Sequence, residues 1–234
     1  MNHPCYPLIL CVTLAAASWQ FLSAQDAGTV PHTIRTEDKQ YMTTGAVTIR
    51  DEDKQYITTG SVLIPAAVKD ARQIIEAVDR WNAWMFTGMD GKGPAERFLL
   101  VYITGVGFPA PGAMNAFVAF RFLRNLGKDN MPIPFILTRQ YADNGDLAGI
   151  TAVLAEKNAM MDSARYEITL SGSDTETEIA YSATVHLRGF FEFFVTLNSY
   201  TKTIEWYLEK IIENFTDQIL PCQFRRDAQQ SGYP

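Results

Sequence analysis

The feature that most constrains the fold is a long amphipathic pattern near the carboxyl end of the chain. Large apolar residues recur every three or four positions over residues 196–219, with polar residues between them. This spacing places the apolar side chains on one face of an α-helix of about seven turns. Such a helix must bury that face, and Pro221 is predicted to end it. The apolar positions are Phe193, Leu197, Tyr200, Ile204, Leu208, Ile211, Phe215 and Ile219.

Six segments that precede this helix are typical of β-strands. They are rich in β-branched and aromatic residues, and clusters of Gly, Pro, Asn, Asp or Ser separate most of them. Strands joined by short turns predict an antiparallel meander rather than a parallel sheet with crossover helices. The predicted strands are residues 97–108, 113–123, 133–141, 148–156, 164–171 and 178–188.

A short helical segment is predicted ahead of these strands. The apolar residues between positions 66 and 78 follow helical spacing, and Pro65 can start the helix because proline is tolerated in the first turn. Residues 79–84, which include Trp84, predict a second short helical turn, and residues 88–94 predict a loop.

A tandem repeat lies further upstream. Residues 35–49 and 50–64 agree at most positions, and each copy predicts a charged turn followed by a strand. Two copies are too few for a solenoid. Because the period is odd, equivalent residues of one continuous strand would face opposite sides, so a break is predicted near residues 50–53. A duplication that added an edge strand or an extended arm accounts for the pattern, and a peptide-binding role for the arm is a further hypothesis.

The amino-terminal segment has the composition of a signal peptide. Residues 1–24 contain no Lys, Arg, Asp or Glu, and an apolar run is followed by small residues that end at Ala24. We therefore expect export to the periplasm or the exterior, with a mature start at Gln25. An uncleaved membrane anchor is the alternative. After cleavage Cys222 is the only cysteine, which excludes an intrachain disulfide and favours an inert thiol over an intermolecular bridge.

Charge and residue spacing argue against several classes of function. The formal net charge of −6 disfavours nucleic-acid binding, which needs clustered Lys and Arg. The sequence predicts no metal site, no cofactor and no catalytic residue, since ligand spacings, a complete phosphate-binding fingerprint and a nucleophile elbow are missing. An enzyme is the less favoured interpretation, and its candidate acids or bases are His186, Tyr166 and Glu167.

The aromatic content of the strands and of the last helix leaves two interpretations open. These rings could form an ordinary core, or they could line an apolar cavity, which is the usual form of a small-molecule site. The pattern alone favours neither interpretation.

Residues 61–84 (SVLIPAAVKDARQIIEAVDRWNAW) begin with a strand that ends in proline, continue with a helix and close with an Asp-x-x-x-x-Trp segment. This order, followed by antiparallel strands and a long final helix, resembles the START-like helix-grip superfamily (SRPBCC), which includes polyketide cyclases and pollen-allergen lipid binders. The resemblance implies an α+β helix-grip fold, in which a curved antiparallel sheet wraps around the C-terminal helix. Members bind lipids, sterols or polyketides between sheet and helix, and some catalyse cyclisation there. Ala66-Ala67-Val68 departs from the acidic pair and aromatic residue that the family often has.

From these observations we predict four regions. They are a signal peptide (1–24), an N-terminal arm with the first repeat copy (25–53), a START-like domain (54–220) and a C-terminal tail (221–234). The predicted partner is a lipid or other apolar small molecule, and a pocket enzyme or an envelope interaction module are the alternatives. Transient membrane contact and the oligomeric state stay open. The predicted ligand-binding residues are Trp84, Tyr102, Phe120, Phe122, Tyr166, Tyr181, Phe194, Leu197, Tyr200, Thr201, Ile204 and Leu208.

Overall fold

The structure is a computed structural model, and it describes residues 32–33, 44–52, 55–90, 92–93, 101–122 and 132–230. The predicted signal peptide (1–24) and the side chain of Cys222 lie outside the described residues. In the part of the chain that the structure describes, no helix is both long and apolar enough to cross a membrane.

A single antiparallel sheet of nine strands runs in the order β1-β2-β3-β9-β8-β7-β6-β5-β4. Consecutive strands from β4 to β9 are neighbours, which confirms the predicted meander. Strand β3, which precedes the meander in the chain, pairs with the last strand of the meander, β9. The bounds are β1 (His32–Thr33), β2 (Thr44–Glu52), β3 (Gln55–Ile64), β4 (Val101–Gly107), β5 (Asn115–Phe122), β6 (Ile133–Tyr141), β7 (Leu147–Leu154), β8 (Met161–Gly172) and β9 (Thr177–Leu187).

The helices lie between β3 and β4 and after β9. Helix α1 (Val68–Glu76) is followed by a 3₁₀ turn and by α2 (Trp81–Trp84), and the chain ends with α3 (Phe190–Phe194) and α4 (Leu197–Gln230). Apolar residues from one face of the sheet, which we call the inner face, form a continuous core with α1, α2 and α4. The predicted α+β architecture, a curved antiparallel sheet with a long C-terminal helix, is confirmed.

The carboxyl end of the long helix differs from the sequence prediction, and so does the place of Phe193. Phe193 lies in the separate helix α3 and is 80% exposed, so it does not belong to the apolar face of α4. Extended backbone at Val195 separates the two helices, and Thr196 then caps α4 because its hydroxyl accepts the Ser199 amide hydrogen bond (3.2 Å). The prediction that Pro221 ends the helix is wrong, since α4 continues to Gln230. A proline removes one N–H donor, which a helix can survive as a local kink.

The described residues of the two repeat copies form a β-hairpin. Strand β2 ends at Glu52 and β3 begins at Gln55, so the chain does break where the odd period requires it. The equivalent residues Ala46 and Ser61 pair directly, and the pairs on either side of them exchange a valine and a glycine between the copies. The duplicated segment is therefore related to its copy by a local twofold axis through the Ala46–Ser61 pair. In this way the first copy extends the sheet beyond β3.

The C-terminal half of α4 packs tightly against the two short helices. Phe215 is 3% exposed and its ring lies 5.7 Å from the ring of Trp84. The Asn214 side-chain amide donates to the carbonyl oxygens of Met85 (3.2 Å) and Thr87 (3.0 Å), so the chain that follows α2 is tied to the helix. These contacts leave the N-terminal half of α4 to cover the middle of the sheet.

Candidate ligand-binding groove

The inner face of β8 is packed at its ends and open in its middle. Because side chains alternate between the two faces of a strand, Ala164, Tyr166, Ile168 and Leu170 all point to the inner face. Ala164 and Leu170 are 2% and 5% exposed, whereas Tyr166 and Ile168 between them are only partly buried. The interior therefore contains accessible surface at the centre of this strand.

Strand β9 repeats the same arrangement beside β8. Ile179 and Val185 are 8% and 4% exposed, and the inner-face residues between them, Tyr181 and Ala183, are partly buried. Ala183 pairs with Tyr166, so the open positions of the two strands are adjacent. Two neighbouring strands thus share one concave region that buried residues close at both ends.

The N-terminal half of α4 faces this region. Tyr200, in the first turns of the helix, stacks on Tyr56 of β3 with ring centroids 4.3 Å apart, and it is close enough to Tyr166 to affect that residue's pKa. Residues further along this half are partly buried and pack against the core. We call the resulting space the groove; it is bounded by Tyr166, Ile168, Tyr181 and Ala183 of the sheet and by Leu197, Ile204 and Leu208 of α4.

The ionisation of Tyr166 shows how deep the groove lies. Burial, and secondarily the neighbouring Tyr200, raises the pKa of Tyr166 well above its ordinary value of 10. The same residue keeps accessible surface. The residue lies deep inside the protein and still has accessible surface. That surface therefore borders an internal space rather than the outside of the molecule.

Polar groups at the β3 side of the groove are incompletely satisfied. The hydroxyl of Tyr56 donates to the carbonyl oxygen of Val195 at 2.7 Å. In contrast, the buried hydroxyl oxygens of Thr58, Tyr181 and Tyr200 have no hydrogen-bond partner among the described residues. Burial raises the pKa of Tyr181 and of Tyr200 to about 12. The Thr58 hydroxyl lies close to the Tyr200 hydroxyl and lowers the pKa of Tyr200, which partly offsets the effect of burial. The two hydroxyls do not meet hydrogen-bond geometry.

Half of the predicted lining residues come together at the groove: Tyr166, Tyr181, Leu197, Tyr200, Ile204 and Leu208. Thr201 follows Tyr200 on the helix and is partly buried. Phe120 lies on the inner face of β5, where its ring contacts those of Phe135 (5.4 Å) and Phe86 (6.3 Å).

Three of the remaining predicted residues lie elsewhere. Trp84 is 5% exposed in the packed region against Phe215. Tyr102 pairs with Arg121 and alternates with the core residue Ile103, so it occupies the outer face of β4. Phe194 is 42% exposed on α3, and the side chain of Phe122 lies outside the described residues.

Several groove residues were missing from the sequence prediction. Thr58, Ile168 and Ala183 are not aromatic, whereas the predicted cavity wall consists mainly of aromatic rings. Strand alternation could have identified Thr58, since Val62 and Ile64 are apolar residues of the same face. Small residues such as Ala183 give no comparable signal, because only the pairing of β8 with β9 shows that a space lies beside them.

The candidate acids and bases do not assemble into a catalytic site. His186 and Glu167 alternate with the inner-face residues Val185 and Tyr166, so they point to the outer face of the sheet. Hydrogen bonds from Arg165 lower the pKa of Glu167. Tyr166 alone faces the groove, and its raised pKa keeps it protonated near neutral pH. Among the described residues no cluster of three or more His, Cys, Asp or Glu could hold a metal ion.

A second concavity lies at the opposite end of the sheet. It is an open cleft of about 640 Å³ between the β4–β5 connection and α1, and it contains none of the predicted lining residues. Arg139 crosses it by donating to the carbonyl oxygens of Ala113 (3.0 Å) and Glu76 (3.2 Å), and its guanidinium lies 5.0 Å from the Phe108 ring. The Tyr141 hydroxyl donates to the Glu76 carboxylate at 2.7 Å. These bonds anchor the connection to α1, while the buried Nε of Arg139 has no hydrogen-bond partner among the described residues.

The order of elements decides the fold class. A strand, two short helices, six antiparallel strands and a long terminal helix follow one another, and the first of these strands pairs with the last. The chain has a START-like helix-grip fold. No protein-family model matches the sequence, and no curated protein matches it.

Solved structures with this fold are similar to the chain. The lipid transfer and protein localization domain of human StarD13 (DLC2) has 11% identity and a TM-score of 0.47, over 94% of this chain and 98% of that domain. The STAR-related lipid transfer protein from Xanthomonas axonopodis has 10% identity and a TM-score of 0.47, over 77% and 99%. The di-domain ARO/CYC protein BexL from the BE-7585A biosynthetic pathway has 13% identity and a TM-score of 0.43 over 72% of this chain, which spans 50% of that one. At these identities the likeness concerns the fold alone.

Proposed function

We propose that this protein binds an apolar small molecule, of the size of a lipid chain, in the groove beneath the N-terminal half of α4. The observation that carries the proposal is the accessible surface in the middle of β8 and β9, closed by buried residues at both ends of each strand. Protein interiors are normally packed as densely as organic crystals. An internal apolar surface that stays accessible is therefore a site that a ligand can fill.

The chemistry of the groove wall supports a mainly apolar ligand. Ile168, Ala183, Ile204 and Leu208 present hydrocarbon, and none of the groove residues carries a charge. A ligand that covered this surface would gain roughly 25 cal/mol for each Å² of apolar area removed from water. Among the described residues no acid and base meet at the groove, and we propose binding or transport rather than catalysis.

Mass spectrometry of organic extracts from the purified protein tests this proposal. We expect a co-purifying lipid or lipid-like compound, or the uptake of a neutral fluorescent apolar probe by the delipidated protein. The matched variant is Ala183→Leu, which places a larger side chain in the groove and should prevent uptake. An extract without any such compound, together with no uptake of the probe, would refute the proposal.

Export is part of the same proposal. The composition of residues 1–24 supports it, because an apolar run followed by small residues is typical of a cleaved signal. Fractionation of the producing cells should recover the protein outside the cytoplasm with Gln25 at its amino terminus. Recovery of the full chain in the cytoplasm would contradict export without affecting the groove.

A further inference from the structure

The connection between β4 and β5 is an exposed loop made only of residues without polar side chains. It consists of residues 108–114 (FPAPGAM), which we call the apolar loop. Phe108 and Met114 at its two ends are 42% and 52% exposed, and residues 109–112 between them are exposed as well. The surrounding sequence contains no Lys, Arg, Asp or Glu from position 98 to position 120. Contiguous exposed apolar surface of this kind marks a contact with a partner protein or a membrane.

Hydrogen bonds hold the apolar loop in its exposed position. The backbone amide of Ala113 donates to the carbonyl oxygen of Ala110 at 3.1 Å, and Gly112 has the positive φ of 74° that this tight turn requires. Arg139 of β6 binds the end of the loop twice. Its backbone amide donates to the Met114 carbonyl oxygen (3.0 Å), and its guanidinium donates to that of Ala113 (3.0 Å). The loop cannot fold back onto the core without breaking these bonds.

The size and the backbone chemistry of the apolar loop fit a lipid bilayer better than a protein surface. A stable protein interface buries about 800 Å² on each side, which is more than one short loop supplies, and a second copy of the chain would add only the same small surface. Insertion into the boundary between headgroups and acyl chains needs only a small apolar tip. Backbone donors that enter lipid must have a partner. Pro109 and Pro111 have no N–H, and the N–H of Ala113 is already bonded.

The charges near the apolar loop predict which lipids it meets. The chain has a formal net charge of −6. Arg139 is the one cation among the described residues that line the adjoining cleft. Its guanidinium already donates to two carbonyl oxygens and lies 5.0 Å from the Phe108 ring. Attraction to anionic lipids requires a cluster of Lys or Arg, so we expect the loop to meet neutral, zwitterionic lipid.

An exposed aromatic residue at the opposite end of the sheet provides a matched control. Phe193 of α3 is 80% exposed, and α3 follows β9, which runs antiparallel to β4 in the meander. Glu192 precedes it in the chain, and Arg188 nearby lies 3.6 Å from the carboxylate of Asp162. These charged groups would have to leave water together with the ring, at a high cost in desolvation. Phe193 is therefore exposed but poorly suited to insertion into lipid.

We propose that the apolar loop docks the protein onto a neutral lipid bilayer by inserting Phe108 and Met114. The loop shares no residue with the groove, so docking does not require that the groove hold a ligand.

Co-sedimentation of the full chain with phosphatidylcholine vesicles tests the proposal. Phe108→Ser and Met114→Ser should each weaken binding by roughly fivefold to thirtyfold, because each removes apolar surface that lipid would cover. Phe193→Ser removes a more exposed ring and should leave binding unchanged. Phosphatidylglycerol mixed into the vesicles should not strengthen binding. All variants keep the apolar segment 1–24, so any contribution of that segment cancels in the comparison.

A tryptophan in the apolar loop gives a second, site-specific measurement. The fluorescence of Phe108→Trp, after subtraction of the native spectrum, should shift to shorter wavelengths when vesicles are added, because the new ring leaves water. Phe193→Trp should show no such shift.

Four results would overturn the proposal, provided that circular dichroism shows the variants to be folded. They are unchanged binding in both Phe108→Ser and Met114→Ser, an equal loss in Phe193→Ser, a requirement for phosphatidylglycerol, and a loss of dimers in Phe108→Ser without lipid. The last result, measured by light scattering, would identify the apolar loop as a protein contact. A protein that binds vesicles through the loop but takes up no apolar probe supports docking and contradicts only the proposed function.

Discussion

The two halves of α4 lie over one sheet and yet have different surroundings. Phe215 and Ile219 in the C-terminal half are 3% and 0% exposed, in the part of the helix that packs against α1 and α2. Leu197, Ile204 and Leu208 in the N-terminal half contact the same core but stay partly exposed. Phe215 and Ile219 therefore help to hold the fold together, and the N-terminal half covers a space, although both parts of the helix have the same apolar periodicity.

The largest effect expected from this difference is on stability, and two isoleucines in the same helix measure it. Ile219→Ala should lower the free energy of unfolding by about 4 kcal/mol, because a fully buried side chain leaves a cavity. Ile204→Ala should cost less than about 2 kcal/mol, since this side chain already borders accessible space. Urea denaturation of both variants checks the prediction. Equal losses would show that the two halves are packed alike.

Alkaline pH should weaken the groove side of the molecule. Burial raises the pKa of Tyr181 and Tyr200 to about 12, whereas tyrosines of the unfolded chain ionise near 10. The stability that depends on their protonated form is fully present below pH 10 and is lost as the pH rises towards 12, by about 2 kcal/mol for each tyrosine. The free energy of unfolding, measured at several pH values between 9 and 12, should fall less steeply in Tyr200→Phe. An unchanged slope in this variant would contradict the assigned shift.

Enlarging small residues should distinguish the open middle of the sheet from its packed end. Ala164→Leu adds volume at a position that is 2% exposed, so it should cost about 1–3 kcal/mol. Ala183→Leu adds the same volume beside the groove and should cost less than about 1 kcal/mol while it blocks ligand uptake. Thermal denaturation and probe displacement measure the two properties. Comparable destabilisation by both variants would mean that the groove is filled by protein.

The smallest expected effect separates a partnered hydroxyl from an unpartnered one. Tyr56→Phe removes the hydrogen bond to the Val195 carbonyl and should cost about 1 kcal/mol in the free energy of unfolding. Tyr200→Phe removes a hydroxyl without a partner, so the stability of the ligand-free protein should stay constant or rise slightly. Urea denaturation of the two delipidated variants measures whether the free energy of unfolding falls in one and not in the other. A clear loss in Tyr200→Phe would reveal a hydrogen bond that this arrangement does not contain.

Most of the secondary structure could be read from the sequence, because it depends on local periodicity. The apolar spacing in 196–219 predicted the start of α4, and the alternating strands predicted β4–β9 to within a few residues. The errors fall where local pattern competes with capping. Phe193 continues the helical spacing, but Thr196 caps a new helix that begins after it in the chain. Helix α4 also continues through Pro221, where the sequence predicts its end.

The sequence by itself determined the order of elements, the break between the two repeat copies and the apolar face of the last helix. Only the tertiary structure decided that the N-terminal half of this helix covers a groove while Phe215 and Ile219 beyond it are solidly packed. The physical reason is that periodicity specifies which side chains turn inward, whereas the space between them depends on which elements meet there. Ile204 and Phe215 occupy the same helical face, and the packing of α1 and α2 beside only one of them makes the difference.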